Sequence, residues 1–331
     1  MECTSPIEGY YSKTPNENGR YSIVFDPKLG QVDNPVTLSC GNCIGCRLRR
    51  SRMWGLRCMH EASLHSDNIF VTLTYSDEHL PPNADLYYPD FQNFMKRLRK
   101  EYVPKNPYNR KTEPNDYKDW AFANGIRFYM CGEYGDNTGE SVYMVSKLGR
   151  PHFHAILFNH TFSDMEHYET RDGNDYYVSD TLDRLWGKSD LRCIIGECNM
   201  QTASYVARYC TKKINGDLAY EHYTRMDPDS GEIFPLRPEF TNMSKFPGIG
   251  ANFFLKYHQD FAKDFITHDG EKYPVPKYYD KLLEDIDDGF LAQLKSNRAL
   301  AIDPDDPERS RERLEVKKII QAKTLTKLPR N

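Results

Sequence analysis

Long apolar runs are missing from this chain of 331 residues. No run approaches the roughly 18 residues that a membrane-spanning helix requires, so we expect no membrane partner. The first six residues, from Met1 to Pro6, have neither a basic start nor an apolar segment, and secretion is therefore not expected. Hydrophobic residues make up only 39% of the chain, but 23 tyrosines and 17 phenylalanines suffice for a core. The length fits one large domain or two moderate ones.

An excess of positive charge is also missing, because the formal net charge is −4. The charges are unevenly placed: residues 260–308 contain thirteen acidic and six basic residues, whereas residues 47–57 contain five arginines and no acid. A local basic surface can bind phosphates whatever the net charge, since salt screens distant charges. We predict a helix over residues 47–65 whose arginines contact a DNA backbone, with a solvated charged face as the alternative. The candidate contacts are Arg47, Arg49, Arg50 and Arg52.

A nucleotide-binding loop is absent as well. Gly187-Lys188-Ser189 resembles the end of a P-loop, but that motif needs a glycine five residues before Gly187. Leu182 occupies that position, so no nucleotide-driven motor is predicted.

Cysteine is present nine times, and three copies form a C-x2-C-x2-C pattern in residues 40–46. In an intracellular protein this pattern predicts metal binding rather than a disulfide framework. A tetrahedral structural zinc ion would need a fourth ligand. Cys3 is our first choice, Cys58 and His60 are alternatives, and a Gly-rich turn with free thiols remains the simpler interpretation. The predicted zinc ligands are Cys3, Cys40, Cys43 and Cys46.

Hydrophobic periodicity predicts several elements elsewhere. Alternation over residues 68–75 predicts a strand, and Phe91, Phe94, Met95 and Leu98 lie on one face of a helix that Asp90 would cap and that would end near Tyr102. We expect further elements at 21–25 (strand), 179–186 (helix), 191–195 (strand) and 307–326 (helix), and irregular or exposed loops at 1–39, 104–119 and 164–175.

The most informative stretch is Gly149 to Phe158, which contains two histidines separated by one phenylalanine. On a β-strand alternate side chains share a face, so His152 and His154 would project together and Phe153 would point the other way. Two imidazoles placed in this manner can bind one metal ion. The alternative is a strand end with two polar residues facing solvent.

A carboxylate upstream can complete that site. Residues 126–135 are predicted to form a strand that ends in a Gly-flanked turn and carries Glu133. If this strand pairs with the histidine strand, Glu133 completes a site of two histidines and one carboxylate, which suits Mg²⁺ or Mn²⁺. Asp136, three residues further on, is the other acidic candidate.

A tyrosine pair follows the histidines along the chain. Residues 202–213 are predicted to form a helix, capped by Thr202 or by Asn199. Tyr205 and Tyr209 are four residues apart and therefore lie on one face. An amphipathic helix anchored by two aromatic residues is the alternative. Lys212 and Lys213 would follow on the next turn of the helix.

With these motifs the chain resembles the HUH endonucleases, named for a histidine-hydrophobe-histidine strand. More closely, it resembles the rolling-circle replication initiators of small single-stranded DNA bacteriophages (Microviridae, gokushovirus type). The strand at 70–75, His152-Phe153-His154 and Tyr205-x-x-x-Tyr209 occur in the family's order. The resemblance covers roughly residues 40–215 and, more weakly, residues 243–250.

The resemblance implies an α+β fold with a central antiparallel sheet that carries the His-x-His strand and is flanked by helices. An N-terminal Cys-rich and Arg-rich segment (1–66) would precede the nuclease core (67–215). A partly helical, acidic C-terminal extension (216–331) would follow it.

The resemblance also implies an activity, namely nicking of origin DNA by tyrosine attack on a phosphodiester beside one Mg²⁺ or Mn²⁺ ion. The products would be a 5′-phosphotyrosine and a 3′-hydroxyl that primes rolling-circle synthesis, and a second tyrosine would later allow the strands to be rejoined. Expected partners are single-stranded DNA, origin DNA, and a host polymerase and helicase in the bacterial cytoplasm. In this account Lys212 or Lys213 stabilises the phenolate, and Arg208 contacts DNA.

Three other interpretations fit parts of the sequence. A zinc-containing DNA-binding module without catalysis explains the cysteines and arginines but leaves the histidines and tyrosines unused. A metalloenzyme that hydrolyses a small phosphoester with water predicts no covalent adduct. A plasmid initiator or transposase of the same superfamily would use the same chemistry.

Overall fold

The structure is a computed structural model that describes residues 3–17, 19–136, 148–209, 218–227, 230–303 and 306–326. Two compact units divide the chain. The smaller unit comprises Met1–Ser51 and Gln293–Asn331, and the larger comprises Arg52–Ala292. In the part of the chain that the structure describes, no helix is both long and apolar enough to cross a membrane.

Helices and strands alternate irregularly along the described residues. The strands are β1 (Ile7–Pro15), β2 (Tyr21–Val24), β3 (Gly30–Leu38), β4 (Asn68–Leu73), β5 (Arg127–Asp136), β6 (Leu148–Phe158), β7 (Glu166–Arg171), β8 (Asn174–Val178), β9 (Ile194–Glu197), β10 (Thr224–Met226), β11 (Ile233–Pro235), β12 (Phe240–Met243), β13 (Phe265–His268) and β14 (Glu271–Pro274). The α-helices are α1 (Ile44–Ala62), α2 (Tyr88–Tyr102), α3 (Pro114–Asn124), α4 (Asp180–Trp186), α5 (Met200–Tyr209), α6 (Leu218–His222), α7 (Ala251–Tyr257), α8 (Lys277–Ile286), α9 (Asp288–Leu300) and α10 (Arg311–Thr326).

The N-terminal segment of the smaller unit forms a three-stranded antiparallel sheet in the order β2-β1-β3. The expectation that residues 1–39 are irregular was therefore wrong. The prolines that suggested it stand where a sheet tolerates them, because Pro15 ends β1 and Pro35 lies in an edge strand. Gly30 lies so close to Tyr10 that a Cβ atom there would be 2.3 Å from the Tyr10 Cβ atom.

The larger unit contains a seven-stranded sheet in the order β12-β5-β6-β4-β9-β8-β7. All of its paired strands are antiparallel. The expected α+β class, with a large antiparallel sheet flanked by helices and a cysteine cluster near the N-terminus, is therefore correct. The histidine strand β6 is an interior strand, since it pairs with β5 on one side and β4 on the other.

Alternation along these strands gives the sheet two buried faces. Val71, Leu73 and Phe153 belong to a core that also contains the apolar side chains of α2 and α4. On the opposite face Phe70, Tyr129 and Ile156 pack with residues of α1 and α5. Side chains two residues apart share a face, so Glu133, His152 and His154 lie on the side of the sheet that α5 covers.

Four local expectations need correction. Helix α2 begins at Tyr88 after Tyr87 at the N-cap, and Asp90 is instead buried and accepts a hydrogen bond of 3.0 Å from the Tyr75 hydroxyl. The loop expected at 104–119 contains the start of α3, because Pro114 suits the first turn of a helix. The exposed loop expected at 164–175 is largely the hairpin β7–β8, and the strand expected at 191–195 lies at Ile194–Glu197.

Candidate active site

Pairing of β5 with β6 assembles the acidic and imidazole side chains. Glu133 is directly opposite His152 in the register, and Cys131 is opposite His154. The Nε2 atom of His152 lies 2.7 Å from Glu133 Oε1, and His154 Nε2 lies 3.4 Å from the same oxygen. The ligand atoms of the three side chains are all within 4.8 Å of one another. They can therefore hold one metal ion.

The other imidazole nitrogens are held by groups outside this triad. The Nδ1 atom of His154 lies 2.9 Å from the Thr72 hydroxyl on β4, and His152 Nδ1 lies 3.1 Å from the carbonyl oxygen of Arg150. Partners of this kind fix the orientation and tautomer of a ligating histidine. Both rings consequently direct Nε2 toward Glu133.

The electrostatics of the triad favour a cation. Glu133 is 3% exposed, and burial alone would raise its pKa. Hydrogen bonds from His152 and His154 outweigh burial and lower the pKa to about 2, so the carboxylate is ionised near neutral pH. Among the described residues, its Oε2 atom is buried and has no hydrogen-bond partner. Two imidazoles and a carboxylate with an unused buried oxygen fit Mg²⁺ or Mn²⁺.

Helix α5 covers this site and carries the first tyrosine. At its N-terminus Thr202 donates its backbone N–H to Asn199 Oδ1, at 2.9 Å, and the Thr202 hydroxyl accepts the Asn199 N–H, at 3.0 Å. Asn199 is thus the capping residue of the two considered. The ring of Tyr205 is 5% exposed and lies 5.2 Å from the ring of His154, edge to face. A tyrosine ring therefore packs directly against a candidate metal ligand.

The remaining predicted residues of this motif lie at or beyond the end of α5. Tyr209 is the last residue of the helix, one turn after Tyr205, and its side chain lies outside the described residues. Lys212 and Lys213 are also outside them. The backbone of Asp136 ends β5, while its side chain is likewise not described. The structure thus brings Glu133, and not the alternative, together with the two histidines.

The predicted DNA-contacting arginines differ in exposure. Arg50 and Arg52 are exposed on α1, and Arg47, Arg49 and Arg208 are half-buried. The guanidinium carbon of Arg208 lies 5.6 Å from the centre of the Tyr205 ring.

Arg57, counted with the basic stretch, is buried and has a structural role. It donates to the Ile249 carbonyl oxygen at 3.0 Å and stacks on Trp54 and Tyr278. The basic stretch therefore supplies four arginines, and not five, as candidate phosphate contacts.

The four cysteines predicted as zinc ligands lie together, with all four sulfur atoms within 4.8 Å of one another. Burial alone raises the pKa of the Cys43 thiol, but N–H donors of Cys46 and Thr4 outweigh it and lower the pKa to about 6. The two alternative ligands are occupied elsewhere. Cys58 is fully buried in the core beneath α5, and His60 Nδ1 lies 2.8 Å from the Tyr279 hydroxyl.

One residue of the site was missed by the sequence analysis. Thr72 was predicted to lie in a strand, but its contact with His154 depends on the register of β4 against β6. Alternation indicates which residues of β4 share a face, yet it does not indicate which residue of the neighbouring strand each one meets.

Comparisons with known proteins agree with one another. The sequence model of the ORF2 family of replication-associated proteins matches residues 68–214. Replication-associated protein VP4 of Bdellovibrio phage phiMH2K is 31% identical over 283 residues, which cover 84% of this chain and 76% of the phage protein. Replication-associated protein ORF2 of Spiroplasma virus 4 is 32% identical over 276 residues, covering 79% of this chain and 73% of that protein. Replication-associated protein ORF4 of Chlamydia phage 1 is 30% identical over 254 residues, or 74% of this chain and 53% of that protein. No solved structure matches.

Proposed function

Since the chain belongs to the family of phage replication-associated proteins, we propose that it is an initiator endonuclease that nicks single-stranded or replicative-form DNA at a phage origin. One observation carries the proposal: the Tyr205 ring packs 5.2 Å from the ring of His154, within a His/Glu group able to hold a metal ion. A nucleophile and an electrophilic site are thereby adjacent. Because three named relatives are phage proteins, a phage initiator is favoured over a plasmid initiator or a transposase.

His152, His154 and Glu133 would hold one Mg²⁺ or Mn²⁺ ion. When bound, such an ion polarises the scissile phosphate and neutralises charge that develops on its oxygens. The contribution of the chain is orientation: Thr72 and the Arg150 carbonyl fix the two rings, and the ionised Glu133 supplies negative charge. The cysteine cluster, a second candidate metal site for which zinc is the expected ion, takes no part in this chemistry.

The covalent step is a transesterification. The hydroxyl oxygen of Tyr205 attacks phosphorus, the bond from phosphorus to the 3′-oxygen breaks, and the tyrosine proton is transferred to the departing 3′-oxygen. The products are a 5′-phosphotyrosine and a free 3′-hydroxyl that can prime a host polymerase. A tyrosine hydroxyl ordinarily titrates near pH 10, so a neighbouring positive charge must favour the phenolate. Arg208 lies beside the ring, and Lys212 and Lys213 remain predicted contributors.

Two tyrosines would serve two cleavage events. The link to Tyr205 conserves the energy of the phosphodiester, so a 3′-hydroxyl can rejoin the strand without ATP. While one tyrosine holds the 5′ end, the second can cut the newly made origin. Tyr209, one helical turn away, would take this role.

The DNA strand must be single or locally melted for its backbone to reach a tyrosine on the buried face of the sheet. The exposed arginines of α1 would contact backbone phosphates, which position a strand without reading its sequence. Partners would be origin DNA and the polymerase and helicase of the bacterial cytoplasm in which phage DNA replicates.

A denaturing gel tests the proposal. Purified full-length protein is incubated with Mn²⁺ and labelled single-stranded fragments that tile the phage genome. We expect a protein–DNA adduct that survives boiling in detergent and is lost from the double variant Tyr205→Phe/Tyr209→Phe. Tyr220→Phe is the matched control, because Tyr220 is 76% exposed and has no place in the site. It should form the adduct normally.

The other outcomes separate the competing functions. Cleavage without an adduct would indicate hydrolysis by water, as expected of a metal-dependent phosphoesterase. Binding without cleavage across all fragments and several divalent metals would indicate a DNA-binding module without catalysis. Either result would overturn the proposal.

A further inference from the structure

The N-terminal sheet has almost no hydrophobic core of its own. Among residues 3–17 and 19–38, the buried residues are Thr4, Gly9 and Gly30. Segments of this size that bury few apolar side chains usually need a covalent or metal staple to stay folded. The large apolar side chains exposed in this segment are Ile7, Tyr11, Tyr21, Ile23, Phe25, Leu29 and Val32.

The cysteine sulfurs stand at the spacing of a tetrahedral metal site. Cys3 Sγ lies 3.6 Å from Cys40 Sγ and 3.8 Å from Cys43 Sγ, and Cys46 completes the group. Zinc–sulfur bonds of about 2.3 Å give a tetrahedron with edges of about 3.8 Å. A disulfide would need about 2.05 Å between sulfurs, and all four cysteines are free thiols.

Backbone N–H groups surround the sulfurs as they surround thiolate ligands. Thr4 donates to Cys43 Sγ at 3.4 Å, and the N–H of Cys40 donates to Cys3 Sγ at 3.3 Å. The N–H of Cys43 donates to Cys40 Sγ at 3.3 Å. Hydrogen bonds of this kind stabilise negative charge on metal-bound sulfur.

The neighbouring helix end adds favourable electrostatics. The carbonyl oxygen of Cys43 accepts the N–H of Arg47, so Cys43 stands at the N-terminus of α1, where the helix dipole stabilises negative charge. The first turn of α1 contains no acidic residue. Arg50 donates to the Gly41 carbonyl oxygen at 3.3 Å, which holds a cationic side chain against the cysteine loop.

We propose that Cys3, Cys40, Cys43 and Cys46 bind one structural zinc ion that fastens the residue ahead of β1 to the first turn of α1. Four protein ligands close the coordination shell, so the ion has no open position for a substrate. Its role is to hold the N-terminal sheet in place of a hydrophobic core. The zinc site is independent of the proposed nicking activity.

Metal analysis of the untreated full-length protein tests this proposal. We expect one zinc ion per chain by elemental mass spectrometry. Cys43→Ser and Cys46→Ser should lose that zinc, whereas Cys198→Ser should keep it, because Cys198 packs against the core beneath α5. A double variant, His152→Ala/His154→Ala, should also keep the zinc, which separates the cysteine site from the triad.

Cobalt replacement supplies a measurement that needs no variant. The wild-type chain loaded with Co²⁺ in place of zinc should show a thiolate-to-cobalt charge-transfer band and the intense visible bands of a tetrahedral sulfur site. Removing the ion with a chelator should make residues 1–39 the first to be cut by a protease. A chain without zinc and with four titratable thiols would overturn the proposal. So would a mass lowered by disulfide formation, or zinc that is lost with the histidines instead of the cysteines.

Discussion

Thr72 is the single side chain through which β4 acts on the metal triad. Replacing it with valine keeps the shape but removes the hydroxyl that lies 2.9 Å from His154 Nδ1. We expect Thr72→Val to weaken Mn²⁺ binding about tenfold, the lower end of the usual effect of losing such a partner. Titration of Mn²⁺ followed by calorimetry measures this.

Thr72→Ser is the matched control for that substitution. It retains the hydroxyl and should bind Mn²⁺ nearly as well as the wild type. Equal weakening in both variants would show that Thr72 merely packs in the sheet and does not orient His154.

His60 makes stability depend on pH. Burial lowers the pKa of His60 from 6.5 to about 3 in the folded chain. Between these values the unfolded chain binds a proton that the folded chain does not, so stability falls as pH falls below 6.5. His60 alone should cost about 2 kcal/mol between about pH 7 and about pH 5.

Urea unfolding at the two pH values measures this contribution. His60→Phe preserves the stack on Phe253, whose ring centre is 4.0 Å away, but removes the titrating group. The variant should lose about 2 kcal/mol less than the wild type on acidification. The same loss in both proteins would contradict the assignment.

At the scale of elements, the cap of α5 positions the proposed nucleophile. Asn199→Ala removes the acceptor for the Thr202 N–H, and such losses cost about 1 kcal/mol. We expect a lower unfolding free energy and slower adduct formation, because the turn that leads to Tyr205 would fray.

Mn²⁺ affinity separates this effect from damage to the triad. The triad is built on β5 and β6, so Asn199→Ala should leave the affinity unchanged. Asn199→Asp, which also accepts the hydrogen bond, should restore both stability and rate. Weaker Mn²⁺ binding by Asn199→Ala would show that the cap supports the whole site.

Elements with strong periodicity were predictable, and the others were not. The alternation of residues 68–75 located β4, and the spacing of Phe91, Phe94 and Leu98 located α2. Strands β1 and β3 escaped prediction because their apolar residues do not alternate between a buried and an exposed face. Their prolines and glycines also resemble those of loops.

The site was partly predictable for a related reason. Alternation alone places His152 and His154 on one face, and the direct pairing of Glu133 with His152 needed only that β5 and β6 be neighbours. The packing of Tyr205 against His154 is different in kind. It arises where α5 crosses the sheet, and no local pattern encodes that crossing.

For the whole molecule, a chain with a net charge of −4 must bind DNA through local charge. Arg49 and Arg52 are three residues apart on α1 and therefore neighbours on its surface. If both contact phosphates, Arg49→Ala/Arg52→Ala should reduce the slope of log affinity against log salt concentration by about 1.4 for single-stranded DNA.

Binding measured over a series of salt concentrations, with a double variant lacking the two tyrosine hydroxyls to prevent cleavage, gives this slope. Lys263→Ala/Lys295→Ala is the control, because it removes two charges from the acidic stretch at 260–308. It should leave the slope unchanged. An unchanged slope in the arginine variant would mean that α1 does not lie along the DNA.

Peptide mapping of the covalent adduct tests the central claim most directly. Trypsin cuts after Arg192 and Arg208, so Tyr205 falls in the peptide 193–208 and Tyr209 in the next peptide, 209–212. After nuclease digestion of the DNA, mass spectrometry with fragmentation identifies the tyrosine that carries the nucleotide. Because the Tyr205 ring lies beside His154, we expect the first cleavage to leave the nucleotide on Tyr205. A nucleotide on neither Tyr205 nor Tyr209 would contradict the account.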